Sequence, residues 1–279
     1  MAKWFITGAS SGLGLELTKK LLVEGHTVVA AVRRTNILEE LRQEYPQTLI
    51  VESLDVTETA QIKRVALRHP DVDVVVNNAG GAIIGAMEEL TEQDIQQQIS
   101  LNLLAPIHIT RAFLPTFRAK SSGTFIHITS IGGRVSFAAG SLYHAAKFGL
   151  EGFAESVSQE VSEFGIKTLI IEPGSIKTGF VANIQWTNES DFYKNSTVGH
   201  LRHWIQENGE ETTSGDPKKM ANVIFNLSQL EHPPLRTTLG IDAYSTLEKA
   251  YQNSLSILQS QKELAESVAF EGKMGFIPS

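Results

Sequence analysis

Seven short apolar runs, rich in β-branched residues, recur along the chain at Lys3-Thr7, Thr27-Val32, Thr48-Leu54, Val72-Asn77, Thr124-Thr129, Lys167-Ile171 and Arg236-Gly240. Helix-length segments separate most of them. The runs are near-continuous rather than alternating, which suits strands covered on both faces, as in a parallel sheet between two helical layers. The rhythm predicts an α/β fold: a doubly wound parallel sheet of about seven strands, with helices on both faces and the ligand at the carboxyl ends of the strands. Nothing resembling a linker, a low-complexity tract or a solenoid repeat interrupts the pattern, so residues 1–279 read as a single domain. Two regions break the rhythm. Residues 179–216 are long, mixed in polarity and rich in aromatics, and are expected to form a lid or an interface; residues 241–279 read as a helical C-terminal extension.

Composition narrows the partners. The 279 residues are 42% hydrophobic and 20% charged, ordinary values for a globular protein with a sizeable core. A net charge of -7, without clusters of Lys and Arg, disfavours nucleic acid and anionic membrane surfaces. The absence of cysteine removes disulfides, thiolate nucleophiles and cysteine-ligated zinc, and no metal is expected. The first residues show no signal-peptide pattern, and no run approaches the ~18 apolar residues of a membrane span, so a cytoplasmic location is the expectation.

Directly after the first apolar run stands Thr7-Gly8-Ala9-Ser10-Ser11-Gly12-Leu13-Gly14, followed by a helical run from Leu15 to Glu24. Glycine is needed where backbone turns sharply and lets a pyrophosphate approach, and a helix N-terminus supplies free N–H donors and a positive dipole end. The spacing departs from G-x-G-x-x-G, and three glycines between strand and helix are also compatible with simple turn chemistry. Further along lie Asn77-Asn78-Ala79-Gly80 after the fourth run, Ser130 at the end of the fifth, Tyr143-His144-Ala145-Ala146-Lys147 and Pro173-Gly174.

This ordered set, from Lys3 to about Thr178, resembles the short-chain dehydrogenase/reductase family. The resemblance implies a Rossmann-like domain and a nicotinamide dinucleotide in contact with Gly8, Ser10, Ser11, Gly12, Leu13, Gly14, Asn78, Ala79, Gly80, Pro173 and Gly174. It further implies a carboxamide contact through the Ile176 backbone and the Thr178 hydroxyl. NAD-preferring relatives carry an acidic residue at the end of the second strand, where this chain has Val32 followed by Arg33 and Arg34. An Arg guanidinium suits bidentate contact with a 2′-phosphate, so NADP(H) is expected over NAD(H). Asp55 resembles the family's adenine-binding acid, with Val56 contributing backbone; it is equally a turn or helix-capping Asp, because Thr57 and Glu58 look like a helix start.

Lys147 lies four residues after Tyr143, one helical turn away on the same face. A nearby ammonium is expected to lower the phenol's pKa from about 10. By resemblance, Tyr143 is the general acid/base, Lys147 also binds the nicotinamide ribose, Ser130 hydrogen-bonds the substrate oxygen, and Asn102 orders a water through its backbone carbonyl. Taken alone, a Tyr-x-x-x-Lys pair is more often surface helix packing. His127 and His144 are read as structural. Residues from Gly179 onward are the expected substrate lid; Phe180, Val181, Ile184, Trp186, Phe192, Tyr193 and Phe137 point to an apolar substrate, although core packing explains such aromatics equally well.

The leading expectation is an NADPH-dependent oxidoreductase acting on a carbonyl or secondary alcohol. The rivals are a nucleotide-sugar epimerase or dehydratase and a non-catalytic dinucleotide sensor. By analogy, a homo-dimer or homo-tetramer is expected through helices spanning roughly Asp94-Arg118 and Leu142-Phe164.

Overall fold

The computed structural model describes residues 1–270. The apolar runs become strands within a residue or two of their expected ends: β1 (Lys3–Thr7), β2 (Thr27–Val32), β3 (Leu49–Ser53) and β4 (Val74–Asn77) in the first half. Helices α1 (Gly12–Val23), α2 (Glu39–Glu44) and α3 (Thr59–Arg68) alternate with them. Next come the two-residue strand β5 (Ile83–Ile84), α4 (Glu92–Ile99), α5 (Ala105–Lys120), β6 (Gly123–Ile128), α6 (Ser141–Val161) and β7 (Ile166–Pro173). The chain ends in β8 (Gln185–Trp186), α7 (Thr197–Asn208), α8 (Pro217–Ser228), β9 (Arg236–Leu239), α9 (Ile241–Ser260) and α10 (Lys262–Ser267).

The large sheet runs β3-β2-β1-β4-β6-β7-β9, with every pairing parallel. This is a single doubly wound Rossmann-like domain, as the periodicity predicts. Strand alternation feeds two cores. Trp4 and Ile6 point to the face covered by α1 and α8, where Leu17, Leu21 and Ile224 pack. Phe5 points to the opposite face, where Phe113 and Phe117 of α5 and Val65 of α3 pack. Strand order reverses between β1 and β4, so the loops after these two strands flank the crevice in which such folds bind ligands.

Three elements differ from expectation. Helix α1 begins at Gly12 rather than Leu15, so the last glycines of the loop already belong to its first turn. The single helix expected near Asp94-Arg118 is instead α4 and α5 joined by a π-helical turn, Ser100–Leu104, in which the Ala105 N–H reaches back to the Ser100 carbonyl. Finally, α3 starts at Thr59, not Thr57, with Glu58 as its N-cap. The expected C-terminal extension is helical over α9 and α10; its residues 271–279 lie outside the described residues. Among the described residues no helix is long and apolar enough to cross a membrane.

Candidate active site

The glycine loop is shaped by what cannot fit in it. Gly12 has φ +53°, a conformation that disfavours a side chain. Gly14 has no room for one: a Cβ there would stand 2.5 Å from the Gly8 carbonyl oxygen and overlap the Asn78 amide. Ser11 caps α1 without a side-chain hydrogen bond, which leaves the first-turn N–H groups to be met by a ligand or water. Leu13 is buried beneath the loop, while Gly8 and Ser10 are half-buried on it.

Thr7 and Asn78 lock the two sides of the crevice together. The Thr7 hydroxyl accepts the backbone N–H groups of both Asn78 and Ala79 at 3.0 Å. The Asn78 amide donates to the Thr7 carbonyl at 2.8 Å and to that of Gly8 at 3.3 Å. The Asn77 amide ties β4 to its neighbours, reaching His127 on β6 and Thr110 on α5 at 3.3 Å each. The Asn78 N–H is taken by Thr7, which leaves its backbone carbonyl for a ligand.

At the end of β2, Val32 is buried and Arg33 and Arg34 are exposed. Asp55 Oδ1 accepts from the Thr57 N–H at 2.9 Å and from its hydroxyl at 2.7 Å, a local turn rather than a helix cap. Burial raises the Asp55 carboxyl, but the Thr57 bonds and the charge of nearby Arg33 outweigh it and hold the group below its ordinary value. Val56 is buried beside it.

The expected catalytic residues converge at the carboxyl ends of β4 and β6. Ser130 caps a short 3-10 turn, its hydroxyl accepting the Gly132 N–H at 3.0 Å. Desolvation raises the Tyr143 phenol above its ordinary value, with the nearby Ser130 hydroxyl opposing. Lys147 is 5% exposed; its ammonium donates to the Ile128 carbonyl at 3.1 Å and lies 5.8 Å from the Tyr143 ring centre. Burial pushes Lys147 down to about 8, against an upward pull from the Glu151 carboxylate one turn further along α6. The expected depression of the phenol by this ammonium is thus not met in this structure. Lys147 is directed at Ile128, and burial dominates both groups.

Asn102 sits within the π-helical turn, a rare element that favours functional sites. Its amide donates to the carbonyls of Gly81 and Gln98 at 3.0 and 3.1 Å and accepts the Gly81 N–H at 3.2 Å. Gly80 forms the floor between the two polar groups, since a Cβ there would stand 2.9 Å from Asn102 Oδ1 and 3.7 Å from Lys147 Nζ. His144 is structural: it accepts the Phe137 N–H at 3.0 Å, and its other ring nitrogen meets the Gly132 carbonyl at 2.9 Å. His127 is fully buried and pushed down to about 4 by burial.

Pro173 at the end of β7 is buried, Gly174 after it is half-buried, and Thr178 stands across from the glycine loop, where a Cβ on Gly12 would lie 3.2 Å from the Thr178 Cβ. The Ile176 carbonyl accepts the Thr178 N–H at 2.7 Å. The aromatics of residues 179–216 do not act as a group. Phe180 approaches the Tyr143 ring at 6.3 Å, Trp186 stacks under the Arg202 guanidinium at 5.5 Å, and Phe192 is 91% exposed.

A strap escaped the sequence analysis. Strand β8 pairs with β5, and behind them Glu89 accepts from the Thr187 hydroxyl at 2.7 Å and the Ser190 N–H at 2.9 Å. Arg202 joins this buried cluster 3.5 Å from Glu89 and also donates to the Thr187 carbonyl. Asp242, at the start of α9, was missed as well. The one local sign of it is a carboxylate in the first turn of a helix, which is common for other reasons.

Comparison with known proteins agrees with this geometry. The sequence profile of a family described as short chain dehydrogenase matches residues 3–189. Oxidoreductase BOA17 of Botryotinia fuckeliana is 34% identical over 253 residues, covering 88% of this chain and 92% of its own. A short-chain dehydrogenase structure from Streptomyces avermitilis superposes with a TM-score of 0.88 at 35% identity, over 96% of this chain and 100% of that one. The closed form of a serine dehydrogenase complexed with NADP+ superposes with a TM-score of 0.74 at 25% identity, over 85% and 94% of the two chains.

Proposed function

The chain belongs to the short-chain dehydrogenase family of oxidoreductases, and from that premise we propose that it is an NADP(H)-dependent reductase of an apolar carbonyl compound, reversibly forming a secondary alcohol. The observation that carries the reading is the meeting of the Ser130 hydroxyl, the Tyr143 phenol and the Lys147 ammonium beside the crevice between β1 and β4. NADP(H), when bound, supplies or accepts the hydride at its nicotinamide ring.

The cradle fits such a cofactor. Gly14 leaves no side chain over the N-terminus of α1, whose first-turn N–H groups suit a pyrophosphate, and Arg33 stands exposed at the end of β2, where a guanidinium matches a 2′-phosphate. The NADP+ complex of the related serine dehydrogenase supports the same assignment.

In reduction, the carbonyl carbon gains a hydride and its oxygen becomes an alkoxide. The Ser130 hydroxyl holds that oxygen by a hydrogen bond. The Tyr143 O–H gives it a proton, which a phenol held above its ordinary pKa retains at neutral pH until the alkoxide forms. Lys147, with a pKa of about 8, is charged at neutral pH and keeps a positive charge 5.8 Å from the Tyr143 ring centre. The rings of Phe180 and Phe137, both partly exposed, favour an apolar substrate.

The test is oxidation of NADPH and of NADH with a panel of aliphatic and aromatic ketones, aldehydes and quinones, run beside binding titrations of both cofactors. Turnover is expected with NADPH in preference to NADH. Tight NADPH binding without turnover of any carbonyl would favour a dinucleotide sensor instead.

A further inference from the structure

The strip Gly174-Ser175-Ile176 is clamped from both sides. On one side lies Asp242 in the first turn of α9, 67 residues away in sequence. Its Oδ2 accepts both the Ser175 backbone N–H and the Ser175 hydroxyl, each at 2.8 Å. On the other side lies Gly215, which donates its N–H to the Ser175 carbonyl at 3.0 Å and accepts the Lys177 N–H at 2.8 Å.

Two glycines make room for the carboxylate. A Cβ on Gly240 would stand 2.6 Å from Asp242 Oδ1, and one on Gly174 would stand 2.5 Å from Oδ2. Gly240 has φ +122°, which lets the chain turn from β9 into α9 at this spot. The Gly174 N–H meanwhile donates to the Leu239 carbonyl at 2.8 Å, so the junction of β9 and α9 and the loop after β7 are joined through backbone as well.

The Asp242 Oδ1 atom is buried and has no hydrogen-bond partner among the described residues. An unpaired carboxylate oxygen is costly to bury, and here the positive N-terminal end of a 20-residue helix offsets part of that cost. A carboxylate kept under such conditions, aimed at one loop residue, points to a task at that loop.

We propose that Asp242 is a positioning residue for the nicotinamide half of the cofactor: by holding Ser175 it sets the place of Ile176 and Thr178 opposite the glycine loop, and it ties the docking of α9 to the geometry of hydride transfer. The proposal rests on the reading of this crevice as an NADP(H) site. It differs from general support of the fold in one respect, since it predicts an effect confined to one half of the dinucleotide.

The experiment compares binding of NADPH with binding of 2′,5′-ADP, which carries only the adenosine half, in wild type, Asp242→Asn and Asp242→Ala. Loss of a charge-assisted clamp on a binding loop is expected to weaken NADPH about tenfold in Asp242→Ala, with 2′,5′-ADP unchanged. Asp242→Asn keeps an acceptor oxygen and is expected to fall between wild type and Asp242→Ala. Ser175→Ala, which loses only the hydroxyl bond, shows a smaller loss of the same kind and carries the test by the same criterion if Asp242→Ala does not fold. Unchanged NADPH affinity overturns the proposal, as does a loss shared equally by both ligands. A wild type that binds neither ligand overturns the cofactor reading itself, and this proposal with it.

Discussion

The two walls of the crevice are built by different means. The wall made by Thr7–Gly14 and Asn77–Gly80 is held by backbone: glycines with no room for a side chain, a threonine that accepts two N–H groups, and an asparagine amide spent on two carbonyls. Residues 179–216 add to the β5–β8 pairing side chains from distant segments, with Glu89 reaching Thr187 and Arg202 across 98 and 113 residues. Backbone geometry constrains residue type at every position and leaves little freedom. Support from a few buried side chains leaves more positions free to vary.

Tyr143→Phe, at the meeting of the two walls, is expected to lower kcat for carbonyl reduction by about a thousandfold while NADPH affinity stays within a few-fold, as measured by steady-state kinetics and titration. Arg202→Ala leaves the Glu89 carboxylate buried without its ion-pair partner, at an expected cost of about 3 to 5 kcal/mol in urea unfolding. The companion variant Glu89→Gln with Arg202→Ala should recover part of that loss, because the stranded charge is gone.

Acid should separate the walls. His127, beneath the backbone wall, titrates near its ordinary value of about 6.5 when unfolded and at about 4 when folded. The unfolded chain binds the proton first, so the stability held above about 6.5 declines as pH falls towards 4, by about 3 kcal/mol in all. Burial raises Glu89, yet its hydrogen bonds from Ser190, Thr187 and Ala86 hold it below the ordinary carboxylate range, so the strap titrates later. Unfolding free energies for wild type and His127→Asn across that range check the slope; the slope should flatten in the variant. The smallest expected effect is Arg33→Asp, which should weaken NADPH by about 2 kcal/mol and shift preference towards NADH.

Much of the backbone wall was legible in the sequence. Short β-branched runs can only be strands when helix-length segments separate them, and the glycines of Gly8-Ala9-Ser10-Ser11-Gly12-Leu13-Gly14 mark a turn that side chains would obstruct. Tyr143 and Lys147, one turn apart on a helix face, stood out only through their order after the glycine loop, Asn77-Asn78-Ala79-Gly80 and Ser130. What escaped depends on tertiary context. Over five residues a π-helical turn has nearly the periodicity of an α-helix, so Ser100–Leu104 read as part of one long helix. The raised phenol of Tyr143 follows from burial, which spacing cannot report. Glu89, Arg202 and Asp242 look like ordinary helix-surface charges until the fold brings their partners to them.

The most direct test of the account follows a label. NADPH carrying deuterium at the nicotinamide C4 position is incubated with a carbonyl substrate identified in the panel, and the product alcohol is examined by mass spectrometry. The account predicts that deuterium from one face of the ring arrives on the former carbonyl carbon in wild type, and that Tyr143→Phe binds the labelled cofactor but transfers almost none. Labelled NADPH bound tightly by wild type, with no deuterium delivered to any carbonyl, would contradict it.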